Sequence, residues 1–175
     1  MDPETYRITV VCLGNICRSP IGEVVLKDRV ASAGLADRVM VDSAGTGDWH
    51  LGHPADPRAH ATLIDAGYEV EHISRQITPA WMSDIDLLLA MDEANYRDLA
   101  VMLDASGLAA DARPPLRMFR SFDPALAHLT EPHPDLSVPD PYYGGQDGFL
   151  ETLDMIEKAA DGIVDGLLAQ FSVRE

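Results

Sequence analysis

Both cysteines of the chain, Cys12 and Cys17, lie in the stretch VVCLGNICRSP, and Arg18 follows the second of them directly. A thiol close to a helix N-terminus and a cation loses its proton more readily than a free thiol, and the thiolate is the nucleophilic form. An arginine beside it can bind two oxygens of one phosphate group. These residue types therefore indicate covalent phosphoryl transfer, with Cys12 as the nucleophile that attacks a bound phosphorus atom.

The other residues of this stretch suit an anion-binding loop. Gly14 permits a tight turn, and Asn15 tolerates a left-handed backbone. Ser19 and Pro20 predict a helix start with Ser19 as the N-cap, and a helix N-terminus offers free N–H groups to an anion. The Ser19 hydroxyl is also suited to donate a hydrogen bond to the thiolate. The sequence contains neither GxxxxGK[ST] nor GxGxxG, which argues against a nucleotide P-loop and against a dinucleotide site.

A competing interpretation is that the two cysteines are only small buried apolar residues. For an isolated cysteine that interpretation is the better one, and a bare C-x₅-R pattern arises easily by chance. Here the glycine, the asparagine, the arginine and the Ser-Pro pair share one loop of the size of a phosphate group, which favours the chemical interpretation.

Alternating strand and helix patterns place this loop in a fold. Predicted strands cover residues 6–11, 39–41, 86–91 and 115–119, and a proline-rich loop covers residues 121–146. Predicted helices run from 20 to 33, from 57 to 67, briefly from 79, through residues 96–99, and along an apolar face from 149 to 171. The alternation predicts an α/β sandwich with a mainly parallel sheet, formed by one domain over residues 1–175. In such sheets ligands bind beyond the carboxyl ends of the strands, which is where the loop lies.

The composition excludes several classes of partner. The formal net charge is −16, with 29 acidic and 13 basic side chains, so neither nucleic acid nor an anionic membrane is an expected partner. The first residues, MDPETYR, contain no basic segment followed by an apolar one, and two cysteines do not form a disulfide scaffold. We therefore expect a protein of the reducing cytoplasm, whose charge serves solubility.

The transfer of phosphate from a phenol needs a general acid, because phenolate is a poor leaving group. Four aspartates lie in or beside the long loop, namely Asp123, Asp135, Asp140 and Asp147. Only Asp140 lies between two prolines, which stiffen its backbone, and it directly precedes two tyrosines. From the residues alone, Asp140 is no more favoured than the other three together. Asp56 and Asp123 also precede prolines, where an aspartate is usually a helix cap or a turn residue.

The stretch VCLGNICRSP resembles the signature of the low-molecular-weight protein tyrosine phosphatases. DSAGTGDWH and DPYYGG resemble the second and third motifs of that family, and ADPRA and LLLAMD match further segments, so the resemblance covers essentially the whole chain. SAGTGDWH and the paired tyrosines resemble bacterial members most. The resemblance implies a three-layer α/β sandwich with a four-stranded parallel sheet and helices on both faces.

The resemblance also implies roles for individual residues. It makes Cys12 the nucleophile, Arg18 the phosphate clamp and Asp140 the general acid, and it implies hydrolysis through a cysteinyl-phosphate intermediate without a metal or a cofactor. Its expected substrate is a phosphotyrosine protein or peptide, and one product is phosphate. Residues matching Asn15, Ser19 and Ser43 hold the phosphate-binding loop by hydrogen bonds. The loop itself comprises Leu13, Gly14, Asn15, Ile16, Cys17 and Ser19.

Aromatic side chains next to the motifs are candidates for a substrate pocket. Trp49, Tyr142 and Tyr143, with Leu13, would line the walls around an aryl group, since aromatic rings pack well on aromatic and apolar faces. The alternative is a surface turn with isolated aromatic residues. The histidines show no metal-binding spacing, and His72 is interpreted as a structural residue. Asp92 lies near the site by topology, but the sequence gives it no catalytic task.

Three other functions remain open. Arsenate reductases share this fold in some lineages, but those that relay oxidation internally need later cysteines, and none follows Cys17. Protein arginine phosphatases of the same fold have threonine where this chain has Ile16. A phosphotyrosine-binding module without activity is disfavoured by the intact set of Cys12, Arg18 and Asp140.

The presence of two thiols in one small loop leads to a redox hypothesis. A thiolate is oxidised first to a sulfenic acid, which a neighbouring thiol can capture as a disulfide. We therefore expect a reversible Cys12–Cys17 disulfide that protects the nucleophile from overoxidation. The alternative is that Cys17 only packs beneath the loop.

Overall fold

The computed structural model describes residues 5–173, which contain one parallel sheet of four strands in the order β2-β1-β3-β4. The strands are β1 (Tyr6–Cys12), β2 (Val39–Gly45), β3 (Leu87–Ala90) and β4 (Leu116–Met118). The helices are α1 (Arg18–Ser32), α2 (Pro57–Asp65), α3 (Glu93–Ala105) and α4 (Gln146–Val173). The predicted α/β architecture with a parallel sheet is confirmed.

Alternation along the central strand divides the apolar residues between the two faces of the sheet. On β1, Ile8, Val10 and Cys12 belong to the larger core, which contains the buried faces of α1 and α4. Val11 belongs to the smaller core, with Leu99 of α3. The sheet is therefore covered on both sides, which is why its strands are almost continuously apolar.

The second strand is longer than the sequence indicates. A strand of residues 39–41 was expected, yet β2 continues to Gly45 and stays in register with β1, pairing Cys12 with Gly45. The continuation contains Asp42, Ser43 and a glycine, residue types that are depleted in strands or neutral there. Pairing with a central strand outweighs this local preference, and it brings Ser43 beside the phosphate-binding loop.

The predicted N-cap of the first helix is wrong. Helix α1 begins at Arg18, its N-cap is Cys17, and no side chain caps it. The Ser19 hydroxyl instead contacts the sulfur of Cys12 and the amide of Asn15. The end of the helix is as expected, because Ala33 is the C-cap and Gly34 follows with a φ of 76°.

The remaining elements differ from the sequence prediction mainly because some are 3₁₀ turns. Asp56 caps α2 as expected by accepting a hydrogen bond from the Arg58 N–H, and Asp123 caps a short 3₁₀ turn. The short helix predicted from Pro79 is a 3₁₀ helix (Pro79–Asp84), and the long loop contains several further 3₁₀ turns. In the described part of the chain, no helix is both long and apolar enough to span a bilayer.

Two glycines of α4 offer a matched test of how closely this helix packs against Phe122. A Cβ added to Gly162 would lie 1.8 Å from the carbonyl oxygen of Phe122, whereas one added to Gly166 would meet nothing within 4 Å. We expect Gly162→Ala to lower the free energy of unfolding by about 1–3 kcal/mol because backbone must shift. We expect Gly166→Ala to raise it by roughly 0.5–1 kcal/mol, since alanine favours the helix.

Urea titration of both variants measures these changes. If both variants were stabilised equally, α4 would not approach Phe122 as closely as described here.

Candidate active site

The loop between β1 and α1 lies at the carboxyl edge of the sheet, where the strand order reverses. Strands β1 and β3 are neighbours, but the chain leaves β1 towards β2 on one side and leaves β3 towards β4 on the other, so the connections after these two strands go in opposite directions. This is the position at which open α/β sheets bind ligands. The cysteine at the end of β1 and the first turn of α1 therefore meet at a natural binding site.

Cys12 lies at the bottom of this loop. Its side chain is buried, and its Sγ atom is 3.0 Å from the hydroxyl oxygen of Ser19. Ser19 lies in the first turn of α1, where free N–H groups and the helix dipole favour a negative charge. The sulfur is therefore placed where a thiolate is stabilised by a hydroxyl donor and a helix N-terminus.

Asn15 holds the loop in shape from inside. It is fully buried and has a φ of 56°, in the left-handed region that asparagine tolerates. Its Nδ2 atom donates to the hydroxyl oxygens of Ser19 at 2.8 Å and Ser43 at 2.9 Å. Its Oδ1 atom accepts from the Arg75 N–H at 2.9 Å. These hydrogen bonds connect Asn15, Ser19 and Ser43, the three residues that were predicted to support the loop.

The carbonyl groups of the loop bind to the surrounding backbone and side chains. Those of Cys12 and Leu13 accept from the N–H groups of Thr46 and Gly47, each at 2.9 Å. That of Asn15 accepts from Ser74 and His72, each at 2.7 Å, which gives His72 the structural role expected of it. Because a trans peptide directs its N–H group opposite to its carbonyl group, the N–H groups of Leu13, Gly14 and Ile16 point away from these carbonyl partners. Such an arrangement binds an anion.

The guanidinium of Arg18 is buried and fixed in orientation. Its Nη1 atom donates to Asp92 at 2.6 Å and to the carbonyl oxygen of Val138 at 3.0 Å. Burial opposes the charge, but the neighbouring Cys12 and Asp92 outweigh burial and raise the pKa of Arg18 above its ordinary value. The cation therefore stays charged, and Asp92 and Val138 hold its Nη1 atom.

Asp140 faces this guanidinium from the long loop. One carboxylate oxygen accepts from the Tyr142 N–H at 3.1 Å, and the other is 3.7 Å from Nη2 of Arg18. Asp123, Asp135 and Asp147 are also described, and none of the three lines the cavity that Asp140 lines. The geometry thus separates Asp140 from the three aspartates with which the sequence alone left it competing.

Cys17 differs from Cys12 in its electrostatic surroundings. Both thiols are free and buried. Burial, together with the negative charges of Asp56, Cys12 and Asp140, raises the pKa of the Cys17 thiol far above its ordinary value. Cys17 therefore stays protonated at neutral pH, which leaves Cys12 as the candidate nucleophile.

A cavity of about 400 Å³ opens above the loop. Cys12 and Arg18 are at its base, and its walls include all four predicted pocket residues, which are Leu13, Trp49, Tyr142 and Tyr143. Ile16, Cys17, Gly14, His50 and Asp140 complete the lining. Trp49 and Tyr143 are 68% and 90% exposed, so they form the rim and not the floor. Among residues 5–173, no group of three His, Cys, Asp or Glu side chains converges as metal ligands.

The family model for low molecular weight phosphotyrosine protein phosphatases matches residues 7–172. The chain belongs to this family. A low molecular weight protein-tyrosine-phosphatase of Streptomyces coelicolor is 46% identical over 170 residues, covering 97% of this chain and 98% of that one. The phosphatase expected from the sequence resemblance is thereby confirmed.

Solved structures agree with the assignment of this chain to the phosphatase family. A protein tyrosine phosphatase of Entamoeba histolytica aligns with a TM-score of 0.81 and 32% identity. The alignment covers 95% of this chain and 99% of the Entamoeba chain. A Drosophila arginine phosphatase has a TM-score of 0.80 and 27% identity, with 93% and 98% of the two chains covered. The fold is therefore shared by phosphatases named for different substrates.

Several residues that contact the phosphatase site were missed by sequence reasoning. The sequence placed Asp92, which follows β3, near the site but gave it no task, and in the structure it orients Arg18. His50 lies against the loop, since a Cβ on Gly14 would be 3.1 Å from its ring. Arg58 and Arg75 contact the site from segments far along the chain, and no local pattern indicated them.

Proposed function

We propose that this phosphatase hydrolyses phosphotyrosine in proteins or peptides through a cysteinyl phosphate on Cys12. One observation carries the proposal: Arg18 and Asp140 meet 3.7 Å apart in the cavity whose base contains Cys12. A nucleophile, an anion clamp and a proton donor are therefore arranged around one binding position. We further propose that the chain acts as a single phosphatase domain, supported by the family match from residue 7 to residue 172.

In the first step the phosphate group of the substrate binds to the loop N–H groups and to Arg18. The Cys12 thiolate attacks phosphorus, an S–P bond forms, and the bond from phosphorus to the phenolic oxygen breaks. Asp140 transfers its proton to that oxygen, so that tyrosine leaves as a neutral phenol.

In the second step a water molecule attacks the cysteinyl phosphate. Asp140, now a carboxylate, takes a proton from this water, and the S–P bond breaks to release phosphate. The Ser19 hydroxyl, 3.0 Å from Sγ, donates a hydrogen bond to the leaving thiolate. No metal or organic cofactor takes part in either step of this proposal.

The depth of the cavity supports an aryl substrate. Cys12 is 3% exposed at the base, while Tyr142 is 38% exposed on the wall. A phosphorylated tyrosine is long enough to bring its phosphate to the base while its ring packs between apolar walls. Phosphoserine has one methylene group where tyrosine has a ring, so its peptide backbone would have to enter the cavity.

Hydrolysis of phosphoarginine is the second candidate reaction, because a Drosophila protein of similar fold is named an arginine phosphatase. Ile16 lines the cavity of this chain at the position of the threonine of that subgroup. Isoleucine offers no hydroxyl group to a guanidinium, which favours a phenol. Arsenate reduction would need an external thiol, since both cysteines lie in this one loop.

One assay distinguishes these functions. The purified protein is incubated with phosphotyrosine, phosphoserine and phosphoarginine peptides, and with arsenate plus a small thiol. We expect rapid release of phosphate from phosphotyrosine alone. Turnover of phosphoarginine or arsenate without turnover of phosphotyrosine would contradict the proposal.

The paired thiols carry a redox prediction for the same site. Peroxide oxidises the Cys12 thiolate to a sulfenic acid, and Cys17 then forms the disulfide with loss of water. Because the pKa of Cys17 is raised, its thiolate is scarce at neutral pH, and the disulfide should form faster near about pH 9 than near about pH 7. After a peroxide pulse, wild type should recover with dithiothreitol while Cys17→Ser stays largely inactive.

The control for this pulse is the same treatment with phosphate bound, which covers Cys12. Equal recovery of both proteins, with no intramolecular disulfide by mass spectrometry, would leave Cys17 as a packing residue.

We propose the reducing cytoplasm as the compartment of the protein, because a reducing environment keeps both thiols free.

A further inference from the structure

The segment that carries the general acid has few fixed contacts of its own. We name Asp140–Gly145 the acid turn. Within it, Pro141 is buried, but Tyr142 and Tyr143 are exposed, the latter by 90%. Inside the turn, the Gly144 N–H donates to the Pro141 carbonyl oxygen and the Tyr142 N–H to the Asp140 carboxylate, both at 3.1 Å. The Gly145 carbonyl oxygen accepts from the N–H of Gly148 in α4. Apart from Pro141, the residues of this turn are exposed and burial does not hold them in place, so the position of the turn relative to the phosphate depends also on anchors from elsewhere.

Arg58, in the first turn of α2, is such an anchor. Its Nη1 atom donates to the carbonyl oxygen of Gly144 at 3.2 Å. Its guanidinium lies over the ring of Tyr142, 5.4 Å from the centroid, and over that of Phe149 at 4.8 Å. Arg58 therefore contacts both the acid turn and the buried Phe149 near the start of α4.

The opposite side of the same guanidinium is bound to Asp56. The Nε atom of Arg58 donates to Oδ1 and the Nη2 atom to Oδ2 of Asp56, both at 3.1 Å. Such a two-point pair fixes the plane of the guanidinium as well as its position. The N–H of Asp56 in turn donates to the carbonyl oxygen of Ile16 at 2.8 Å. Asp56 is thus attached to the phosphate-binding loop.

These contacts form a continuous connection between the two halves of the site. It runs from Ile16 in the phosphate-binding loop through Asp56 and Arg58 to Gly144 and Tyr142 in the acid turn. An isolated ion pair at this degree of exposure would contribute little to stability. The connection instead joins the loop that carries the nucleophile to the turn that carries the acid.

We propose that Arg58 is a positioning residue, which fixes the acid turn relative to the phosphate-binding loop so that the carboxyl group of Asp140 meets the leaving oxygen. This inference rests on the proposed function. Removing the guanidinium leaves the nucleophile and the phosphate site in place, but lets the acid move. Proton transfer is then impaired, because a displacement of about 1 Å can lower a rate by up to about 10²-fold.

The test compares two substrates in Arg58→Met and Arg58→Lys. A phosphotyrosine peptide needs the proton, whereas dinitrophenyl phosphate releases a strongly acidic phenol and does not. The measured quantity is kcat/KM for the phosphotyrosine peptide divided by kcat/KM for dinitrophenyl phosphate. Each kcat/KM reports the steps up to formation of the phosphoenzyme. We expect the ratio to fall about tenfold in Arg58→Met and less in Arg58→Lys, with the inhibition constant of inorganic phosphate unchanged.

The matched control is Arg113→Met. Arg113 is 33% exposed and ion-paired with Asp104 at 2.7 Å, while Arg58 is 37% exposed. This control should leave the ratio as in wild type. If Arg58→Met does not fold, Arg58→Lys carries the comparison, because it keeps the charge but cannot bind Asp56 and Gly144 together.

Two outcomes overturn the inference. An equal loss on both substrates, or weaker phosphate inhibition, would show that Arg58 supports only the phosphate-binding loop. Wild-type kcat/KM values for both substrates in both variants would show that the acid turn does not need Arg58. Asp140→Asn, measured alongside, separates these from a failure of the proposed function: if it leaves the ratio unchanged, the acid is elsewhere. Adding Arg58→Met to Asp140→Asn should lower the ratio no further, and a further fall would contradict the proposal.

Discussion

Cys12→Ser is expected to lower kcat/KM for phosphotyrosine by at least about 10⁴-fold, in the range observed when a covalent nucleophile is removed. A serine hydroxyl stays protonated at neutral pH and is a far weaker nucleophile than a thiolate. The loop N–H groups and Arg18 are untouched by the change. Phosphate should therefore still bind to the variant with an affinity close to that of wild type, as measured by isothermal titration calorimetry.

The matched control for this prediction is Cys17→Ser. Cys17 lies in the same loop, is equally buried and is kept protonated by its surroundings. We expect it to retain most of its activity in the absence of oxidants. Substantial activity in Cys12→Ser, or a loss in Cys17→Ser as large as that in Cys12→Ser, would contradict the assignment of the nucleophile.

Asp140→Asn has the second largest expected effect. The rate of phosphoenzyme formation from phosphotyrosine should fall by about 10²–10⁴-fold, which is the usual contribution of a general acid. An asparagine keeps the shape of the side chain and can accept the hydrogen bond from Tyr142, but it has no proton to transfer. The same rate with dinitrophenyl phosphate should change little, and rapid-quench measurement of the released phenol checks both.

Asp147→Asn is the control for the charge of this region. Asp147 is exposed in the first turn of α4, and it does not line the cavity. We expect it to react at the wild-type rate with both substrates. An equal loss on both substrates in Asp140→Asn would transfer the role of the acid to another group.

The chemistry and the local elements of this site could be predicted from the sequence because they depend on neighbouring residues. A strand, a phosphate-sized loop and a helix follow one another within residues 6–32, and their periodicity and residue types are visible directly. The sequence also placed the loop at the carboxyl edge of a parallel sheet, since that follows from the alternation of strands and helices.

The supports of the site could not be predicted because they are contacts between distant segments. The Arg75 N–H that binds Asn15 comes from 60 positions along the chain, and the Val138 carbonyl that binds Arg18 from 120. Neither residue stands in a periodic pattern that points to its partner. The misassigned cap has a different origin, because the Ser19 hydroxyl binds Cys12 and Asn15 within the same loop in place of the local N–H that usually determines an N-cap.

The most direct test of the account is to trap the cysteinyl phosphate. Asp140→Asn is mixed with dinitrophenyl phosphate, which should phosphorylate the enzyme quickly, while hydrolysis is slow because the base that activates water is missing. The reaction is quenched in acid within the first turnover, and the protein is digested and analysed by mass spectrometry. The account predicts one phosphoryl group, on Cys12. A phosphoryl group on any other residue, or a rapid release of phenol without a phosphorylated peptide, would contradict it.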